Sequence, residues 1–276
     1  MPSSDCDTLD SMADDMAKLG CNTEAVELFI QAAECWRRWE QYAKAATSYE
    51  RAYEHGMLCH SYGPAGEAMM EAAYFWILEG QHQKYEIDCQ IASEAFILAA
   101  EHEKNPKRFV DGAFSSIMGG DLELARQLIH AAAETTHGQA KELINLALML
   151  SEYQFGDAEK YIDAALVRVM TREGVSRVKR QFVLLFADFV RTSLESEVAV
   201  SIASLSESTG LEPHRVEGLV KRGIDEGIIP AYLDEESKEL VVDSDRMDVS
   251  DLARRRRPIL SRDIEDPGAW DTDIDE

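Results

Sequence analysis

No apolar run in this chain reaches the roughly 18 residues that a membrane-crossing helix needs. Met1 to Asp15 is acidic and polar where a signal peptide would be basic and then apolar. Together these predict a soluble, intracellular, cytoplasmic protein. Basic side chains are in deficit, 28 Lys and Arg against 52 Asp and Glu, for a formal charge of −24. Such a surface repels nucleic-acid phosphates and anionic lipid headgroups and favours basic partners. A salt-adapted source would give the same acidity with no partner implied. The five cysteines, Cys6, Cys21, Cys35, Cys59 and Cys89, are odd in number, scattered and confined to the first third. They are not a disulfide framework, and a reducing compartment fits them best.

Catalytic signatures are missing too. Gly63-x-x-Gly66 lacks the lysine and the preceding strand of a phosphate loop. There is no paired CxxC, no HExxH and no G-x-S-x-G. His55, Cys59 and His60 fall short of a four-ligand zinc site, and Asp14-Asp15 and Glu235-Glu236 read as solvated faces. The chain is therefore expected to be no enzyme and to need no cofactor.

What is present is helix. From Asn22 to Leu194 proline occurs only at Pro64 and Pro106, and apolar residues recur at steps of three and four. The pattern predicts helices near 23–38, 41–55, 63–79, 82–103, 106–118, 121–136, 139–152, 156–171 and 175–194. The expected breaks are Gly56, Tyr62-Gly63-Pro64, Gly80, Asn105-Pro106, Gly119-Gly120, Gly138, Gly156 and Gly174. The helices also repeat. Phe29, Ala32, Ala33, Trp36, Tyr42, Ala45, Tyr49 and Ala52 carry the tetratricopeptide spacing of a large residue, a small pair and an aromatic, then aromatic, alanine, aromatic, alanine. Forty residues on stand Met69, Ala72, Ala73, Trp76, His82, Tyr85, Cys89 and Ala92. Forty more bring Phe109, Gly112, Ala113, Ser116, Leu122, Ala125, Ile129 and Ala132, and a weaker copy keeps Phe155, Ala158, Ile162 and Ala165. Three copies at one step specify a stack of helix pairs. These residues are its core, and function in such a stack follows from its concave surface.

The stretch from Ala25 to His55, AVELFIQAAECWRRWEQYAKAATSYERAYEH, resembles the helical repeats of the soluble NSF attachment proteins, and the likeness continues to about residue 170. That resemblance implies a scaffold that grips a helical bundle and recruits a ring ATPase. The acidic stretch of that family ends in a leucine; the acidic WDTDIDE here has none.

From Val198 the texture changes. A short strand or turn, a helix near 203–209, Gly210, a helix at 213–226 opened by Glu212-Pro213, and strands at 228–234 and 238–242 are predicted, the layout of a winged helix. Between Ser196 and Val242 ten acidic residues face four basic ones, Arg215, Lys221, Arg222 and Lys238, for a net −6. A groove-binding helix needs more cations than that. Helical repeats running into a winged helix resemble the PCI-domain proteins, which implies strand pairing with sister subunits. Residues 243–276 are polar, hold Pro258 and Pro267, and are expected to be disordered. Arg254, Arg255, Arg256 and Arg257 read either as a solvated cluster, docked on the protein's own acidic surface, or as a localisation or anionic-partner patch. Trp270 among carboxylates is either a chance tryptophan or a short linear motif for a basic-rimmed pocket.

The expected architecture is thus mainly α. A segment 1–20 is followed by a right-handed antiparallel tetratricopeptide-like solenoid over 21–195, a winged helix over 196–242 and an acidic tail. The expected role is a non-enzymatic adaptor, in membrane trafficking or complex assembly. Its partners would be helical bundles or sister subunits. The candidate partner-binding residues are Arg37, Arg38, Lys44, Arg215, Lys221, Arg222, the four arginines 254–257 and Trp270. A transcriptional regulator with a repeat-built sensor is the rival.

Overall fold

The computed structural model describes residues 4–243 except 135 and 198. The expected tail, with 254–257 and Trp270, lies outside the described residues. The chain is mainly helical. Helices α1 (Ser4–Lys18), α2 (Asn22–Arg38), α3 (Tyr42–Leu58), α4 (Tyr62–Leu78), α5 (His82–His102), α6 (Lys107–Met118), α7 (Leu122–Ala133) and α8 (Gln139–Ser151) follow one another, each packed on the next. Residues 1–20, set apart in sequence, contain α1, which packs on α2 as a member of the stack.

A 20-residue beat underlies the 40-residue repeat. Gly20, Glu40, His60, Gly80 and Gly120 all take positive φ, from 54° to 79°. In each case the next amide donates to the carbonyl five residues back: Cys21 to Met16, Gln41 to Trp36, Ser61 to Gly56, Gln81 to Trp76 and Asp121 to Ser116, at 2.8–3.1 Å. This is the 6→1 bond of the Schellman ending, which satisfies carbonyls left open at a helix end. The expected breaks at Gly56, Gly63, Gly156 and Gly174 are corrected, because all four lie inside helices. Glu40, His60, Lys104 and Tyr153 end helices without glycine. Packing on both sides and the 6→1 bond outweigh a left-handed penalty of about 1–2 kcal/mol. Gly56 serves close approach instead: a Cβ there would stand 3.0 Å from that of Ala65.

The first two repeats are bound by a shared polar clamp. The Trp36 indole donates to Asp10 Oδ2 at 2.7 Å and the Ser48 hydroxyl to Asp10 Oδ1 at 2.9 Å, with Lys44 Nζ 3.9 Å from the Trp36 ring centre. Forty residues later the Trp76 indole donates to Glu50 at 2.5 Å and Lys84 lies 3.5 Å from its ring centre. Asp88 takes the place of Ser48. The same N-terminal corner contains a Cys6–Cys35 disulfide with Cα atoms 5.5 Å apart. One pair is thus an exception to the expectation drawn from scattered cysteines, since residues 29 apart in sequence meet only once α1 has folded onto α2.

The weaker copy forms α9 (Phe155–Tyr161), a π-helical turn (Ile162–Leu166) and α10 (Val167–Val169). The long α11 (Arg172–Ser196) then leads into β1 (Ala199–Ser201), α12 (Ile202–Thr209), α13 (Pro213–Asp225), β2 (Ala231–Asp234) and β3 (Glu239–Val242). The strands form a small antiparallel sheet in the order β1-β3-β2. This end has no separate core. Phe155, Phe182 and Phe186 share one buried cluster with Leu205, Leu219 and Leu240, and a Cβ on Gly156 would overlap the Gly210 carbonyl.

Candidate functional site

Small pairs on α4 and α6 face the neighbouring helices, so the remaining large side chains of these helices turn to one side. There α4, α6 and α8 meet α11 across a cavity of about 500 Å³, within the usual size range of ligand pockets. Its apolar lining comes from Met70 and Tyr74 on α4, Phe114 and Met118 on α6, Leu143 on α8 and Leu184 on α11.

Ion pairs consume most of the charge around it. Arg180 of α11 grips Glu71 of α4 through both terminal nitrogens, at 2.6 and 3.4 Å, and its guanidinium carbon lies 4.4 Å from the Tyr74 ring centre. Arg108 donates to Glu67 at 2.8 Å and to Asp111 at 3.2 Å. Burial pushes the Asp111 carboxyl above its ordinary range; Arg108 opposes this and Glu67 adds to it. Burial likewise raises the Tyr74 phenol, with Arg180 opposing and the Glu226 carboxylate adding to the rise. Two exposed lining cations, Lys107 and Arg177, hold no ion pair among the described residues. Arg177 acts on Asp111 only through space.

The wall opposite the repeats is fixed. Arg191 of α11 is 2% exposed and meets Glu86 at 2.9 Å, Asp188 at 2.8 Å and Glu195 at 2.5 Å. The site offers an apolar floor, committed ion pairs and two uncommitted cations at its edge. That arrangement suits capture of an amphipathic, anionic group. The chain matches no family model, and no curated protein matches it. The family resemblances therefore stand on the residues that carry them.

The candidate residues read from sequence lie elsewhere. Arg37 pairs with Glu34 and Arg38 is exposed without an ion pair among the described residues, both at the end of α2. Lys44 is committed to Trp36 and stands 3.9 Å from Asp7. On α13, Arg215 reaches Glu159 at 2.5 Å, Lys221 meets Glu217 and Glu235 at 2.8 Å each, and Arg222 meets Glu226 at 2.7 Å. None of the six lines the cavity. His55 bonds Asn22 at 2.9 Å and His60 bonds Tyr62 at 2.7 Å, while Cys59 donates to the Gly56 carbonyl.

Sequence reasoning missed Met70, Glu71, Tyr74, Lys107, Arg177 and Arg180. A signal existed: in the second repeat, Met70, Glu71 and Tyr74 are the positions interleaved with Met69, Ala72 and Ala73 that the core pattern leaves unused. What had no signal was the return of α11 over them.

Proposed function

We propose that the chain is a non-enzymatic adaptor that captures a protein segment at the cavity between α4, α6, α8 and α11. In this reading the helix pairs form a tetratricopeptide-like solenoid of the attachment-protein kind, and the cavity is what its own helix α11 leaves open on the concave face. The segment β1 to β3 acts as a PCI-like winged helix whose edge strand pairs with a sister subunit. One observation carries the reading: a cavity of about 500 Å³ with an apolar floor, whose uncommitted charges among the described residues are both positive, in a chain of net charge −24. An acidic, aromatic-bearing segment fits it, because its ring would bury apolar area at about 25 cal/mol per Å² while its carboxylates meet Lys107 and Arg177.

The regulator reading is weakened by the pairing of Arg215, Lys221 and Arg222 with carboxylates, which leaves α13 few cations to displace counterions from phosphates. The test is capture from native lysate by wild type and by the Lys107→Glu/Arg177→Glu variant, with heparin retention measured alongside. Loss of the captured partner in the variant is expected, with weak heparin retention. Equal capture by both, or heparin retention that falls steeply with salt, overturns the proposal.

A further inference from the structure

The cavity has a candidate occupant in the chain itself. Between 265 and 276, Glu265, Asp266, Asp271, Asp273, Asp275 and Glu276 flank a single Trp270, with Ile274 four residues on. In composition this is the acidic, aromatic-bearing segment that the cavity suits. From the geometry and charge of the site we infer that residues 265–276 dock there in cis, Trp270 against the apolar lining and its flanking carboxylates on Lys107 and Arg177. This rests on the adaptor reading and names an occupant for its site: the tail and a partner segment of the same chemistry compete for the one cavity.

Three observations favour the tail as occupant. The first is charge. Glu67, Glu71 and Asp111 are answered by Arg108 and Arg180, so Lys107 and Arg177 are left for an incoming anion. The second is chemistry of the lining. Met70, Met118 and Met170 line the cavity together with Tyr74 and Phe114, and methionine sulfur makes favourable contacts with an aromatic edge while adapting its shape to the guest. The third is reach. The Asp243 amide donates to the Pro230 carbonyl at 3.0 Å, which ties the start of the tail to the turn after α13. The end of that helix is beside the cavity, because Glu226 acts on Tyr74 and Gly223 packs on Ala187, three residues from Leu184 of the lining. From Asp243 to Trp270 is 27 residues of chain, and a chain of that length can reach at most about 90 Å.

The experiment uses full chains and a fluorescent peptide of residues 265–276, read by anisotropy. The Trp270→Ala chain, its own anchor removed, should bind the peptide at least tenfold more tightly than wild type, whose tail competes at high effective concentration. A Trp270→Ala/Lys107→Glu/Arg177→Glu chain, checked for unchanged far-ultraviolet dichroism, should lose that binding, and a peptide carrying the Trp270→Ala change should not bind at all. Equal binding by wild type and Trp270→Ala chains, no binding by either, or binding that survives the Lys107 and Arg177 changes overturns the inference. Lysate capture separates the two readings. If the peptide fails but capture still depends on Lys107 and Arg177, the adaptor site stands without its tail; if capture is indifferent to them as well, both fall.

Discussion

Asp88 breaks the clamp of the second repeat in a way that pH should reveal. Its carboxyl is 6% exposed, has an oxygen with no hydrogen-bond partner, and occupies the position of Ser48, which donates to the clamp carboxylate one repeat earlier. Burial, with the Glu50 charge adding and Lys84 opposing, raises its pKa from 3.8 to about 7. Between those values the folded chain holds a proton that the unfolded chain has released. The stability this proton confers is complete below about pH 3.8 and falls as pH rises to about 7. The full span is worth about 4 kcal/mol at 1.36 kcal/mol per unit, of which about 3 kcal/mol falls between pH 5 and 8.

Asp88→Ser removes the titrating group and supplies the hydroxyl that Ser48 supplies to Asp10. Relative to wild type, the variant should therefore gain about 3 kcal/mol as pH rises from 5 to 8. Urea unfolding followed by tryptophan fluorescence is the appropriate assay, since Trp76 bonds Glu50 in the same cluster. Comparing variant with wild type cancels the histidines. Glu50→Gln should shrink the wild-type slope without abolishing it, because burial is the larger cause. A variant-minus-wild-type difference that stays within about 0.5 kcal/mol across the range, at unchanged m-value, would refute the reasoning.

The other predictions concern how the parts are joined. Gly156→Val drives a side chain into the Gly210 backbone and should cost about 3 kcal/mol, read as a loss of roughly 5–10 °C in Tm. Arg191→Ala removes a buried guanidinium that meets Glu86, Asp188 and Glu195 and should cost about 3–5 kcal/mol in urea unfolding; a change under 1 kcal/mol would mean the cluster is solvated. Alkylation of the unfolded, unreduced protein should modify Cys21, Cys59 and Cys89 and leave Cys6 and Cys35 joined, as intact mass will show. Reduction should then cost about 3–4 kcal/mol from the chain entropy of a loop this long.

The stack was legible because its signal is local and repeated. Phe29, Ala32, Ala33 and Trp36 and their copies at Met69 and Phe109 mark buried faces at fixed steps, and Trp36, Ala72, Ala113 and Ala132 are all at most 1% exposed. The helix ends were less legible. Glu40 and His60 incur a left-handed penalty that glycine would not, and the bonds from Gln41 and Ser61 and the pressure of neighbouring helices hold them there. The site was the least legible, since it depends on Arg180 meeting Glu71 across 109 residues of chain, a pairing without periodicity. The basic residues chosen from sequence were the conspicuous ones, and in a chain this acidic a conspicuous cation finds a carboxylate, as Lys221 and Arg222 have.

The turns at Gly20, Glu40, His60, Gly80 and Gly120 also set the currency in which this protein can change length. Helix α5 has 21 residues and α6 only 12, yet the turn at Gly120 returns to the beat because one lengthens as the other shortens. A gain or loss of 40 residues keeps the clamp carboxylate facing the next indole; a number that is not a multiple of 40 puts Asp10 or Glu50 opposite the wrong face. Loss of residues 41–80 would be tolerated in register but would set Asp88 against Asp10 in place of Ser48, one acid facing another. Shortening of this chain is thus open in geometry and closed, at neutral pH, by charge.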